Sequence, residues 1–235
     1  MKRILILTAF IIALTGTKLM AGSQGSSKET RDLKGFSSVS FGIAGDLYIT
    51  IGSEYKVVLE GKKDLLDDIL TEVSSDRLVI KKDRSNWSGF NERITIYITM
   101  PEIKGLGVSG SGKAEIRDAV KTETLNLSVS GSGNIYVSEI TAENLDCHIS
   151  GSGNINITGK GQVAKGEISV SGSGNYKGDE LQIGTLGASI SGSGNCTCNV
   201  TQSLRASVSG SGNVNYAGDP KVDARVSGSG KVRSR

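Results

Sequence analysis

Two prolines, one histidine, one tryptophan and three cysteines stand among 235 residues, and aromatic residues amount to 5%. Each scarcity closes off a class of function. A single histidine and three cysteines without zinc-type spacing give no metal-ligand cluster. Sparse aromatics and the absence of a basic stripe remove the stacking platform and the phosphate-neutralising surface on which nucleic-acid binding rests. Past the amino terminus, no apolar run approaches the roughly 18 residues of a membrane-spanning helix. The formal charge is +3, yet Lys2, Arg3 and Lys18 supply all of it: 27 basic residues less these three leave 24, against 24 acidic residues that all lie beyond position 21. A chain processed after Ala21 is neutral.

The amino terminus has the form of an export signal. Met1-Lys2-Arg3 precedes an apolar run from Ile4 to Leu14, and a small-residue boundary follows at Thr15 to Ser23. A short basic segment, about eleven apolar residues and such a boundary describe a secretory signal peptide, and the run is too short to cross a bilayer. Cleavage fits after Ala21, with Thr17 as the alternative. The expected organisation is a signal peptide at 1–21, a flexible start at 22–32, an irregular β cap at 33–100 and a repeat region at 101–235, the last two forming one continuous domain. The expected location is the periplasm or the cell surface. No cysteine lies near the boundary, which argues against a lipid-anchored form.

Against two prolines stand 32 glycines, and their placement is periodic. Ser-Gly-Ser-Gly begins at Ser109, Ser130, Ser150, Ser171, Ser191, Ser209 and Ser227, with steps of 21, 20, 21, 20, 18 and 18 residues. A near-fixed period of about 20 residues is the mark of a solenoid, in which each coil buries its apolar face only by stacking on its neighbours. Apolar residues alternate on both sides of the motif, as in Leu125-x-Leu127-x-Val129 before it and Ile135-x-Val137 after it. Period-two alternation predicts strands. The parity continues through the motif, so both glycines are expected to face inward at a corner while Ser130, Ser132 and Asn134 face out. Looser returns such as 138–144 or 159–165 close each coil. The fold predicted is all-β: a single-stranded, parallel, right-handed β-helix of about 20-residue coils. At a strand spacing of roughly 4.8 Å, seven coils make a rod on the order of 30 Å long.

Residues 33–100 are β-like without the motif. Val39 to Ile49 reads as a degenerate coil, and 55–60, 77–81 and 93–99 as further strands. Asp64 to Leu70 carries apolar residues three and four apart and predicts one short helix with Asp64 as its N-cap. Residues 82–92 form a polar loop holding Trp87, and Pro101 marks the boundary to the repeats. A cap is needed because a bare coil presents unpaired backbone edges. The last motif nearly coincides with residue 235, and that open end is a candidate for homo-oligomer formation.

The exported amino terminus, the lead-in Ile94-Thr95-Ile96-Tyr97-Ile98-Thr99-Met100-Pro101-Glu102-Ile103 and the array of Ser-Gly-Ser-Gly-Asn motifs with apolar alternation resemble the bacterial head GIN domain family. The resemblance spans about residues 35–230. It implies a parallel β-helix-like fold, a cell-envelope location in the Bacteroidota and an auto-transporter adhesin role. It brings no catalytic or ligand residues with it.

One repeated surface stands out as a candidate ligand ladder: Ser130, Ser132 and Asn134; Ser150, Ser152 and Asn154; Ser171, Ser173 and Asn175; Ser191, Ser193 and Asn195; Ser209, Ser211 and Asn213. Such an array suits a repetitive ligand, a cell-surface glycan, a protein or ordered water. The same residue types also support corners through local hydrogen bonds. Lys113 and Lys231 replace the asparagine in the outer coils. A calcium roll needs an aspartate in every glycine-rich turn, and the corresponding place holds Asn or Lys. Cys147, Cys196 and Cys198 share the inward parity and read as small buried hydrophobes. His148 beside Asp146, in a column of serines, lacks a nucleophile elbow. Of the scattered carboxylates Glu115, Asp146, Glu167, Asp179, Glu180, Asp219 and Asp223, only Asp146 and Glu167 approach the stacked pair that a polysaccharide lyase or hydrolase would use. The sequence therefore predicts no catalytic residue, cofactor or metal, and a non-enzymatic envelope solenoid with an adhesive or structural role. The alternatives are a carbohydrate-active β-helix enzyme, an ice- or surface-binding solenoid and a self-associating periplasmic scaffold.

Overall fold

The computed structural model describes residues 26–83 and 93–235. The expected signal peptide at 1–21 lies outside these residues, as does Trp87.

The amino-terminal part contains β1 (Ser27–Arg31), β2 (Ser38–Gly42), β3 (Gly45–Ile51), β4 (Lys56–Gly61), α1 (Lys63–Asp67), β5 (Ile69–Ser74), β6 (Arg77–Lys82) and β7 (Ile94–Met100). Strands β2 and β3 are the two arms of one coil, with Val39, Phe41, Leu47 and Ile49 alternating into the core. Strands β6 and β7 are the arms of another, running parallel to β2 and β3 in register. The coil expected at 39–49 is therefore present, and residues 77–100 supply its lower neighbour.

The repeat region continues with β8 (Gly105–Gly110), β9 (Lys113–Gly131), β10 (Asn134–Gly151), β11 (Asn154–Ile157), β12 (Gly161–Gly172), β13 (Asn175–Gly192), β14 (Asn195–Gly210), β15 (Asn213–Ala217), β16 (Lys221–Gly228) and β17 (Lys231–Ser234). Each coil pairs in parallel with the next. The motif serines stack without slippage, Ser109 on Ser130, then Ser150, Ser171, Ser191, Ser209 and Ser227. The core is one column of aliphatic side chains, for instance Leu127, Cys147, Ile168, Ala188 and Ala206 in successive coils. A one-residue slip would turn every one of these outward, and that fixes the register.

The order of coils in space differs from their order in the chain. On its other side the β2–β3 coil pairs with β8 and with the start of β9, so it is held between β6–β7 and β8–β9. The chain lays down one coil, departs to build the cap, adds a coil beneath the first, and resumes above it. Strand β4 lies antiparallel on β7, β1 antiparallel on β4, and β5 antiparallel on β6. Leu66 of α1 is buried beneath this cap. Two local expectations are corrected. Residues 27–31 of the expected flexible start form β1, whose backbone pairs along the otherwise bare edge of β4. The N-cap of α1 is Lys62 rather than Asp64, which sits inside the first turn.

At each corner the two glycines divide the work. The first has positive φ, from 95° at Gly110 to 121° at Gly228, a conformation open to glycine and strained for other residues. These glycines are exposed or half-buried, while the second glycines, such as Gly133 and Gly153, are buried. The expectation that both face inward is thus corrected: the positive φ bends the backbone out of the pleat, and alternation restarts at the second glycine. A Cβ on Gly153 would overlap the carbonyl oxygen of Gly133 and a methyl of Val129. Corner amides are paired, since Ser152 and Gly153 both donate to the Gly131 carbonyl at 2.9 Å.

The carboxyl-terminal coil is uncovered. Val222 and Val226, in register with buried Leu204 and Val208, are 39% and 45% exposed. Deeper in the array, Cys147, Tyr176, Cys196 and Cys198 are all buried, and the three thiols are free. Burial, with Asp146 nearby, pushes the Cys147 thiol far above its ordinary range. A hydrogen bond with Cys198 and burial raise that of Cys196. Such thiols are protonated and inert.

Candidate functional site

The predicted ladder separates into two parts with different chemistry. The asparagine column is spent on itself. Asn154 donates through Nδ2 to Oδ1 of Asn134 at 2.8 Å, Asn175 to Asn154 at 2.8 Å, Asn195 to Asn175 at 2.9 Å and Asn213 to Asn195 at 2.9 Å. All five are half-buried. Lys113 and Lys231 stand next in register at the two ends of the column. The serine columns are unspent: Ser130, Ser132, Ser150, Ser152, Ser171, Ser173, Ser191, Ser193, Ser209 and Ser211 are exposed, and their hydroxyls make no hydrogen bond within the described residues. They line the corner edge of the rod at the repeat spacing of the sheet, roughly 4.8 Å.

The carboxylate candidates do come together. Asp146 and Glu167 stand in register beside His148, and a shallow depression is lined by Asn126, Asp146, His148 and Glu167 among others. Gly187, next in the column, leaves space that the Glu167 carboxylate occupies. His148 makes no side-chain hydrogen bond among the described residues. Glu115, Asp179, Glu180, Asp219 and Asp223 lie apart from this group. No cluster of three or more metal-binding side chains occurs among the described residues, and no helix among them is long and apolar enough to cross a membrane.

A second outward feature escaped the sequence reading. Tyr97, Tyr48, Glu115 and Tyr136 follow one another in register on the face beside the corner. The Tyr48 and Tyr97 rings stack at 5.6 Å with 24° between planes. The Arg117 guanidinium lies 3.8 Å over Tyr48, and the Lys113 ammonium 5.0 Å from the centre of Tyr136. Lys113 donates to Glu115 at 3.0 Å, and this bond raises the lysine above its ordinary range. The signal was present in Leu47-Tyr48-Ile49, Ile96-Tyr97-Ile98 and Ile135-Tyr136-Val137, each a tyrosine on the outward parity between two buried aliphatics. Only the pairing of β3 with β7 and β9, and of β9 with β10, brings the three into one column.

Residues 35–220 match the family described as "Putative auto-transporter adhesin, head GIN domain". The chain belongs to this family. Among solved structures, a "putative adhesin" from Bacteroides fragilis superposes with a TM-score of 0.85 at 24% identity, over 91% of this chain and 98% of that one. A second "putative adhesin", from Parabacteroides distasonis, gives 0.75 at 20% identity over the same shares. A "putative lipid binding protein" from that organism gives 0.74 at 24% identity, again over 91% and 98%. At these identities the likeness establishes the fold. No curated protein matches the chain. The head GIN family and the β-solenoid together make this a protein of the adhesin or binding-module kind.

Proposed function

We propose that the chain is an exported cell-envelope solenoid that holds a repetitive polar ligand, a surface glycan or a protein, along its serine columns. The observation that supports this reading is the contrast between the asparagines, whose amides bond to one another, and the serines, whose hydroxyls point to solvent in register on a rigid edge. The asparagine ladder stiffens the wall, and the serines supply many identical weak contacts that add through avidity. The protein acts without catalysis. The test is a glycan-array measurement on residues 22–235 beside a variant with Ser132, Ser152 and Ser173 replaced by Val. Binding to one polymer class that weakens at least tenfold in the variant supports the reading, and equal binding by both proteins removes the serines from it.

A second reading, self-association through the carboxyl-terminal coil, draws on the exposure of Val222 and Val226. A sedimentation series would show mass rising with concentration, and Val226→Lys would abolish the rise.

A further inference from the structure

We infer that the Tyr97–Tyr48–Tyr136 column is a carbohydrate-binding platform, on which pyranose rings of a glycan seat against aromatic side chains while fixed charges hold their hydroxyls. The inference rests on the binding-module reading and assigns it a ligand class and a place distinct from the serine columns.

The first ground is where the tyrosines stand. Three of the six in the chain share one outward column, although the core needs none of them: Ile96 and Ile98 flank Tyr97, Leu47 and Ile49 flank Tyr48, and Ile135 and Val137 flank Tyr136, all buried. Farther along, the same column holds Asn156, Lys177, Thr197 and Asn215, so sheet geometry alone does not demand an aromatic there. Tyr97 leaves 38% of its surface in solvent.

The second ground is preorganisation. Stacking of Tyr48 on Tyr97 and of Arg117 on Tyr48 fixes these side chains before a ligand arrives, so little rotamer freedom is left to lose on binding. Glu115 stands between Tyr48 and Tyr136, with the Lys113 nitrogen at 3.0 Å and the Arg117 Nε at 3.7 Å. A carboxylate with a guanidinium and an ammonium offers acceptors and donors at fixed spacing, which matches the neighbouring hydroxyls of a sugar. A groove lined by Lys113, Glu115, Arg117, Tyr136, Ser138 and Thr158 opens alongside.

Charge separates a sugar from the other ligand that aromatic platforms serve, single-stranded nucleic acid. Arg93 pairs with Asp46 at 3.3 Å, and Lys113 and Arg117 share Glu115. Three cations against two carboxylates leave one net positive charge, short of the basic stripe that a phosphate backbone requires. A pyranose needs only an apolar face and a hydrogen-bonding rim; the exposed surface of Tyr97 offers the first and the Lys113–Glu115–Arg117 cluster the second.

The experiment is affinity electrophoresis of residues 22–235 through gels containing a neutral β-1,4-glucan, a galacturonan or a sulfated glycan, with a fluorescent oligodeoxythymidine in parallel. Wild-type protein is expected to be retarded by at least one polysaccharide. Tyr97→Ala and Tyr136→Ala should weaken retardation at least tenfold, and Tyr136→Phe should retain it. Unchanged circular dichroism and urea midpoints show that these outward substitutions leave the fold intact. Retardation that persists in both alanine variants overturns the platform and leaves the binding module standing; it then belongs to the serine edge if the triple serine variant abolishes it. Tyrosine-dependent capture of the oligonucleotide instead overturns the sugar assignment. If no polysaccharide retards the wild-type protein, the glycan reading of the whole module falls with it.

Discussion

The cap and the array solve the same problem, covering a sheet edge, by opposite means. Between Ser27 and Met100 the chain uses antiparallel additions, a short helix and side chains of varied size. From Gly105 onward it repeats one coil and lets each copy cover the last. Irregular packing spreads its constraints over many different contacts. Repetition concentrates them at the two corner glycines of each coil, where consecutive walls touch. A local change should therefore weigh differently in the two regions.

The sharpest test is a side chain at the array's point of contact. Gly153→Val would drive a branched side chain into the Gly133 carbonyl and Val129, and is expected to cost more than about 4 kcal/mol, seen as loss of a cooperative urea transition.

The next effect comes from pH, and it belongs to the array alone. Cys147, Cys196 and Tyr176 have folded-state pKa values raised by burial and, for Cys196 first, by its hydrogen bond with Cys198. Their stabilisation is complete below the unfolded cysteine pKa of about 8.5, and is lost as pH rises above it because only the unfolded chain releases these protons. Stability should fall between pH 9 and 11 by up to about 1.4 kcal/mol per pH unit for each thiol, with Tyr176 adding to the slope only above about pH 10. Cys147→Ala should flatten the slope, and urea midpoints against pH would reveal a flat curve if the thiols titrate normally.

Smaller still is the ladder. Asn175→Ala removes two amide bonds and Asn134→Ala removes one. At about 1 kcal/mol per bond, the interior variant should lose twice as much in thermal or urea unfolding as the end variant. Equal losses would mean that the column contributes nothing as a ladder. The smallest change is expected in the cap's approach: Gly35 has φ of 77° with open space where a Cβ would go, so Gly35→Ala should cost only about 1 kcal/mol for its backbone strain. A cost near that of Gly153→Val would erase the contrast between the two regions.

How far the sequence disclosed this design follows the same division. The coil length, the corner and the inward column from Leu125 to Val208 were legible because parity and period are local properties repeated many times. The outward turn of the first glycines was not, since alternation counted through the motif carries no information about the sign of φ. Serine and asparagine looked equivalent as letters, and only stacking showed that one amide feeds the next. In the cap, β2, β3, β4, β6 and β7 could be read one at a time, while β1 and β5, short and without clear alternation, could not. The pairing could not be read, because β2–β3 meets partners that follow it by 39 to 67 residues with no periodic signal between them. The tyrosine column was hidden for the same reason.

That interleaving bears on how the molecule comes apart. A stacked array ordinarily frays from its ends, shedding one coil at a time because each contacts only its neighbours. Here Ser38–Gly42 and Gly45–Ile51 are clasped between segments that follow them in the chain. Pulling on the amino terminus cannot free this coil without also parting β6–β7 from it and it from β8–β9. The amino end therefore behaves as a knot-free latch: under tension it should resist until several layers yield together, while the carboxyl end unwinds a turn at a time.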